Sequence, residues 1–379
     1  VVAIARKLEE AGFEVWCVGG AIRDALLGAP NDDVDLATSA TPEHVQRLFR
    51  RTVPVGLKFG TVGVLDRAGR LHEVTTFRRD VLTDGRHAVV EFGGSIEDDL
   101  ARRDFTINAV AYHPLRGEWR DPFDGAGDLD RRLIRAVGDP ASRFREDYLR
   151  ILRGLRFAAR LEFTIDPPTW TAALAAAQGL GRLSAERVRE EWFRGLATAR
   201  SVARLVDLWR EVGAGLWLPG LVAQYPFRTA DPQPRDPVLL TIGLLAPAEA
   251  GLAGLKASTA EIERAARVEA APAAPAAATP VAVRRWLARV EPAADDLMTL
   301  YRWREGSEPP WAAQVAGVRA RGEAIDRRGL EITGDDLRAA GIAQGPALGK
   351  VLAALVEEVL EDPALNQRAR LLERAKALS

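Results

Sequence analysis

Gly19–Thr38, GGAIRDALLGAPNDDVDLAT, sets two glycines, an Arg-Asp pair and an alternating Asp-Val-Asp within 20 residues. The apolar run before it, EVWCV, reads as a strand, and AIRDALLG reads as a short helix. Glycines at a strand-to-helix turn let backbone N–H groups approach an anion, and a helix N-terminus attracts it. Gly19 and Gly20 are therefore expected to cradle phosphate, with Arg23 reaching the same group from one turn into the helix. In a strand, residues i and i+2 share a face. Asp33 and Asp35 are then expected side by side, with Val34 turned into the core and Asp32 on the opposite face as a turn residue. Two parallel carboxylates stay ionised when a cation sits between them. Mg²⁺ suits that role, since it takes one or two carboxylates and fills its octahedron with water and phosphate oxygens. Taken alone, Asp-x-Asp favours a solvated edge strand; the adjoining phosphate cradle reverses that in favour of a Mg²⁺–nucleotide site. A third carboxylate would complete a two-metal site. Glu73, in HEVTTF, is the candidate, and an ordinary half-exposed strand residue is the other reading.

Working outward, residues 1–138 alternate helix and strand signals. GTVGVL and LHEVTTF read as a hairpin around DRAG, and TINAVAYHP followed by EWRDPFDG as a further strand and turn. The fold class expected is α+β, with a mixed sheet in this first part. After Pro140 the β-branched runs give way to helical periodicity, as in REDYLRILRGLRFAARL and SVARLVDLWREVGAG. Helical segments are expected over 139–210, 211–300 and 301–379. The Ala/Pro-rich stretch APAEAGLAGLKAS through EAAPAAPAAATP reads as an irregular connector.

Composition narrows the function classes. Of 379 residues 47% are hydrophobic, which fits a globular chain, and no apolar run is long enough for a membrane span. The opening VVAIARKLEEAGFEVW reads as an amphipathic helix leading into a strand, not as a secretion signal. The single cysteine, Cys17, lies in an apolar run and reads as a core residue of a reduced, cytoplasmic protein. One thiol and four histidines argue against zinc. A net charge of −1 says nothing globally about nucleic acid, but arginines concentrate in the first 160 residues. Arg makes bidentate contacts to phosphates and base edges, and a GC-rich genome would raise its frequency too.

REDYLRILRGLRFAAR places Asp147, Arg150, Arg153 and Arg156 at three-residue spacing, so on a helix neighbours touch. Surface ion pairs are one reading. The other is chemical: an Asp accepts and an Arg donates. Together Asp147 and Arg150 match the amino group and ring acceptor of cytosine or adenine, while G and U invert that pattern. Arg153 and Arg156 would then face phosphates.

These residues resemble a known family. GGAIRDALLG…DDVDLAT is similar to the first motif of class II tRNA nucleotidyltransferases, the bacterial CCA-adding enzymes and their poly(A) polymerase relatives. LARRDFTINAVAY resembles their second motif, FREDYLRILRGLRFAARL their nucleotide-selecting motif and LSAERVREE their next helix. The tail ITGDDLRAAGIAQGPALGKVLAALVEEVLEDPALN is similar to the C-terminal part of the bacterial short form. The resemblance implies a polymerase-β-like nucleotidyltransferase head at 1–138, then an all-α neck (139–210), body (211–300) and tRNA-binding tail (301–379). It implies metal ligation by Asp33 and Asp35. It implies nucleotide contacts at Gly20, Arg23, Arg103, Arg150, Arg153 and Arg156, and base reading by Asp147 with Arg150, buttressed by Glu146. The implied reaction is attack by a tRNA 3′-hydroxyl on the α-phosphate of CTP or ATP with Mg²⁺, releasing pyrophosphate.

One departure bears on product choice. Between EVTTF and RRDF the family carries a loop around Asp-Gly-Arg-Arg-Pro that helps switch from C to A addition. Here Asp84, Gly85 and Arg86 are followed by His87 and Ala88. A near-complete loop favours CCA or A addition over CC alone. A CC-adding or A-adding partner, a poly(A) polymerase and a non-catalytic RNA-binding protein remain the alternatives.

Overall fold

The computed structural model describes residues 1–378 except 32, 84–87, 229–232, 234 and 276, with backbone alone at 58, 79–83 and 88–91. The loop residues Asp84–His87 and the turn residue Asp32 singled out above lie outside the described residues. The chain forms two compact units. One is Val1–Leu221 with Gln233–Pro237 and Gly254–Lys256; the other is Val222–Pro232, Val238–Ala253 and Ala257–Ser379.

The first unit begins with α1 (Val2–Glu10), β1 (Val15–Val18), α2 (Gly20–Leu26), β2 (Asp35–Thr38) and α3 (Pro42–Leu48). The strands β3 (Thr52–Gly56), β4 (Thr61–Leu65), β5 (Leu71–Thr76), β6 (Arg78–Thr83) and β7 (Ala88–Phe92) follow. Then come α4 (Ile96–Ala101), β8 (Ala111–His113), β9 (Glu118–Arg120), α5 (Gly125–Asp130) and β10 (Leu133–Ile134). A seven-stranded sheet has the order β3-β4-β5-β2-β1-β8-β9. β2 and β5 run parallel and the other neighbours antiparallel, so the sheet is mixed as expected.

All four residues of β1 are buried because both faces of this inner strand are covered. Val15 and Cys17 enter one core with Ile4 and Leu8 of α1 and Val45 of α3. Trp16 and Val18 enter the other with Ile96 and Leu100 of α4. The Cys17 thiol is buried and pushed up to about 11 by desolvation, as suits a core residue.

Two strand expectations are corrected. β2 starts at Asp35, not Asp33, because the Asn31 side-chain oxygen accepts the Asp33 N–H at 3.0 Å and holds that residue in a turn. Val34 still packs against the core. Within TINAVAYHP only Ala111–His113 is strand; Thr106–Asn108 forms a 3₁₀ turn.

The rest of this unit is helical: α6 (Pro140–Glu146), α7 (Leu149–Leu161), α8 (Pro167–Ala176), α9 (Ala185–Thr198) and α10 (Val202–Glu211), with a short β11 (Thr164–Ile165) parallel to β10. Asp139 caps α6 by accepting the Ser142 N–H, with Pro140 in the first turn. α7 buries Ile151, Leu152, Leu155 and Ala158, and Arg156 is buried with them. α9 and α10 pack together through Trp192 and Trp209, whose ring centroids are 4.9 Å apart.

The second unit is helical among its described residues: α11 (Pro237–Leu244), α12 (Ala248–Gly254), α13 (Thr259–Glu269), α14 (Pro280–Val290), α15 (Ala294–Glu305), α16 (Ala312–Ala320), α17 (Gly334–Ala339), α18 (Pro346–Glu361) and α19 (Arg368–Leu378). One core gathers around Trp286 and Trp311, another around Leu337, Leu355 and Leu371. The Ala/Pro-rich stretch is thus not an irregular connector throughout. Its first part forms α12 and leads into α13, which Ser258 and Glu261 start with a capping box. No helix is long and apolar enough to cross a membrane among the described residues.

Candidate functional site

A cavity of about 600 Å³ opens in the first unit, a volume typical of small-molecule sites. Gly19, Gly20, Arg23, Asp33, Asp35, Arg103, Asp147, Arg150, Arg153 and Arg156, all singled out in the sequence, line it together. Glu73 is not among the lining residues.

The glycine turn shapes one wall. Gly19 has φ 79° and ψ −141°, a conformation that only glycine adopts without strain. A β-carbon there would lie 3.4 Å from Asp35 Oδ2 and 3.5 Å from Arg103 Nη1, so the backbone runs against both groups. Asp35 is half-buried and its carboxyl is pushed up to about 6, first by burial and then by the Glu73 and Asp33 carboxylates, against the pull of Arg103. The pairing of Leu36 with Val74 sets Glu73 beside Asp35 in the sheet. Acidic groups therefore crowd here more than Arg103 offsets, which is the donor chemistry a hard divalent metal takes. Among the described residues, however, no three acidic, histidine or cysteine side chains converge into a preformed metal cage. Asp33 and Asp35 are the pair that fits a metal; Glu73 acts on Asp35 electrostatically.

Arg23 is buried and turned inward. Its Nε and Nη2 donate to Asp24 Oδ1 at 2.8 and 2.7 Å, and its Nη1 donates to Asn108 Oδ1 at 2.8 Å. Asn108 Nδ2 in turn donates to Asp104, which also accepts from the Phe105 N–H and from Arg153 Nε. Burial alone would raise the Asp104 carboxyl. The Arg153 charge and these hydrogen bonds hold it down to about 2. Glu191 continues the chain of charges, accepting from Arg156 Nε at 2.7 Å. Desolvation lowers the pKa of the buried Arg156, and Glu191 counters it. At the other end, Asp24 Oδ2 accepts from Asn31 at 2.8 Å and from Arg160 at 3.3 Å. Buried charges are kept only when so paired, and the network fixes where Arg23, Arg153, Arg156 and Arg160 stand.

The expected continuous helix through Asp147 is corrected. α6 ends at Glu146, and Asp147 is extended at φ −156° and ψ 107° before α7 begins. Arg150 consequently pairs with Glu146 and not with Asp147, and also donates to the carbonyls of Arg143 and Arg102. Asp147 accepts the Leu149 N–H at 3.0 Å and Arg187 Nη2 at 2.7 Å. Asp147 and Arg150 still line one cavity. Arg150, Arg153, Arg156 and Arg160 follow one face of α7 into it, at the three- and four-residue steps that share a helix face. Two donors, Arg103 Nε and Arg187 Nη1, are buried with no hydrogen-bond partner among the described residues.

Asp24, Asn31, Asp104, Asn108, Arg160, Arg187 and Glu191 were not expected from the sequence. Asp104 follows Arg103 in RRDF and is legible there in hindsight; the others are joined only by the fold.

A model of the Poly A polymerase head domain matches residues 15–135, and one of the probable RNA and SrmB- binding site of polymerase A matches residues 162–221. The CCA-adding enzyme of Limosilactobacillus fermentum is 37% identical over 398 aligned positions, covering 99% of this chain and 96% of that protein. That of Streptococcus thermophilus is 50% identical over 186 positions, covering 48% of this chain and 46% of that protein. The crystal structure of the Bacillus stearothermophilus CCA-adding enzyme in complex with CTP is 33% identical. It superposes with a TM-score of 0.82 over 99% of this chain and 97% of that one.

Proposed function

The chain belongs to the family of CCA-adding enzymes, which are nucleotidyltransferases, and on that premise we propose that it adds C, C and A to the 3′ end of tRNA from CTP and ATP, without a nucleic-acid template and with release of pyrophosphate. The observation that carries the reading is that Asp33 and Asp35 line the same cavity as Asp147 and Arg150. That shared lining supports one nucleotide being held between metal-type carboxylates and a base-reading pair.

Asp33 and Asp35 would hold Mg²⁺, which neutralises phosphate charge and favours the ionised form of the attacking hydroxyl. The chain's own groups do the positioning. The glycine turn brings backbone against the Asp35 carboxylate, and Arg103, which lines the same cavity, faces the triphosphate. Arg153 and Arg156, anchored by Asp104 and Glu191, add fixed positive charge along the cavity wall. Preorganised charge of this kind stabilises a phosphoryl-type transition state with no reorganisation during the reaction. Asp147 retains acceptor capacity beyond Leu149 and Arg187, so it accepts from the exocyclic amino group of C or A. Arg150 donates to the ring nitrogen. Glu146 and the Arg102 carbonyl hold Arg150 in place. The RNA is recognised by shape and phosphates at its acceptor end. The proposed head, neck, body and tail divide at 138, 210 and 300, and the cytoplasm is the compartment such a reaction implies.

The reading is tested by offering a tRNA without its 3′ terminal nucleotides each of the four nucleoside triphosphates in turn. Extension by CTP, then by ATP once CC is in place, and none by UTP or GTP, is expected; no extension by any of them overturns it.

A further inference from the structure

A second cavity, of about 390 Å³, is lined in part by Tyr148, next to Asp147 in the chain. α6 contributes Ala141 and Arg145, α8 contributes Ala172, Ala175 and Ala176, and the 3₁₀ turn after α8 contributes Gln178, Gly179 and Arg182. Tyr148 closes it. We propose that this cavity binds a nucleotide unit, its phosphate between Arg145 and Arg182 and its sugar and base on the alanine floor against Tyr148; the proposal rests on the tRNA reading above.

Three observations support it. The lining holds two arginines and no carboxylate. Among the described residues neither arginine has a carboxylate at ion-pair distance: Arg145 donates to the Ser142 hydroxyl, and Arg182 stands 5.8 Å from the Tyr148 ring centroid. That contrasts with Arg143, Arg150, Arg153 and Arg156 close by, each paired to an acidic side chain. An unpaired arginine beside an aromatic face is the combination that takes a phosphate and a stacked base. Second, the floor is built of methyl groups, so a flat ring can lie close to the helix. Third, the Tyr148 ring is fixed: a β-carbon at Gly179 would fall 2.0 Å from a ring carbon, so glycine alone lets the ring seat.

The position also gives the site a consequence. Tyr148 follows Asp147 directly and is the N-cap residue of α7, which carries Arg150, Arg153 and Arg156. A nucleotide held on Tyr148 therefore steadies the turn that presents the base-reading carboxylate. The same chemistry comes from an RNA strand or from a free nucleotide, and one pair of measurements separates them.

The full chain and its Arg145→Ala/Arg182→Ala double variant are compared for tRNA affinity across a salt series, and for the number of ATP molecules bound per chain. If RNA supplies the nucleotide, the double variant binds tRNA about tenfold more weakly with a shallower salt slope, as loss of phosphate contacts requires. ATP stoichiometry is then unchanged. If free nucleotide supplies it, the wild type binds a second ATP that the double variant does not, and tRNA affinity is unchanged. Arg145→Lys/Arg182→Lys, which keeps the point charges, restores part of either loss. If the double variant keeps its thermal midpoint while tRNA affinity, salt slope and ATP stoichiometry all match wild type, the proposal is wrong. Nucleotide incorporation by the wild type, run alongside, separates that outcome from failure of the tRNA reading, in which wild type itself incorporates nothing.

Discussion

Asp104 Oδ2 accepts the Arg153 Nε–H at 2.7 Å, tying the residue after the Arg-Arg pair of RRDF to an arginine 49 positions later on α7. That contact joins the sheet-bearing part of the first unit to the helix carrying the nucleotide-facing arginines. It predicts an acid-dependent loss of stability. The Asp104 carboxyl is held at about 2, against an ordinary 3.8, so its stabilisation is complete above pH 4 and disappears as pH falls through 2. The contribution is on the order of 2 kcal/mol. Thermal unfolding of Asp104→Asn against wild type is expected to differ at pH 7 and to converge towards pH 2. A constant difference across that range would remove the carboxylate as the cause.

Asp33→Ala and Asp35→Ala are expected to lower incorporation a thousandfold or more, because a catalytic metal is worth several kcal/mol of barrier. Affinity for tRNA, measured by filter binding, should be unchanged. Full residual activity in either variant would dismiss metal ligation by that residue. Glu73→Gln is expected to act more mildly, by relieving the charge that raises Asp35.

Asp147→Ala is expected to reduce discrimination of C and A against U and G about ten- to a hundredfold, the worth of one or two hydrogen bonds. Arg187→Ala, which removes the donor holding Asp147 Oδ2, should relax selection in the same direction by less. Competition assays with nucleotide pairs read both. Unchanged selectivity in Asp147→Ala would end its base-reading role.

Gly19→Ala is expected to cost on the order of 1–3 kcal/mol, since a β-carbon is strained at φ 79° and ψ −141°. The strained turn also carries the contact with Asp35 Oδ2, 3.4 Å from the added methyl, so activity should fall further than stability. Denaturant unfolding and steady-state rates separate the two effects.

What the sequence disclosed follows from how local each signal is. Gly19, Gly20, Asp33 and Asp35 sit within one strand-helix-strand segment, and their residue types already specify a phosphate and a metal. The arginine face of α7 was readable because helical spacing carries it. The break at Asp147 was not, because REDYLRILRG looks uniformly helical; the turn appears only where Asp147 meets Arg187 of α9. Arg23 lines the cavity, and its partners Asp24 and Asn108, the second 85 positions away, were not announced by any local pattern. The Asp24–Arg160 contact spans 136 positions, and no local pattern announces it.

The central claim is tested most directly by extension of three tRNA transcripts, ending before the first C, after the second C and after the terminal A, with CTP and ATP supplied singly and together and products resolved to one nucleotide. The account predicts C, C and A on the first transcript, A alone on the second and nothing on the third. Addition that stops after CC, addition only to the second transcript, or an A tail of indefinite length would contradict it.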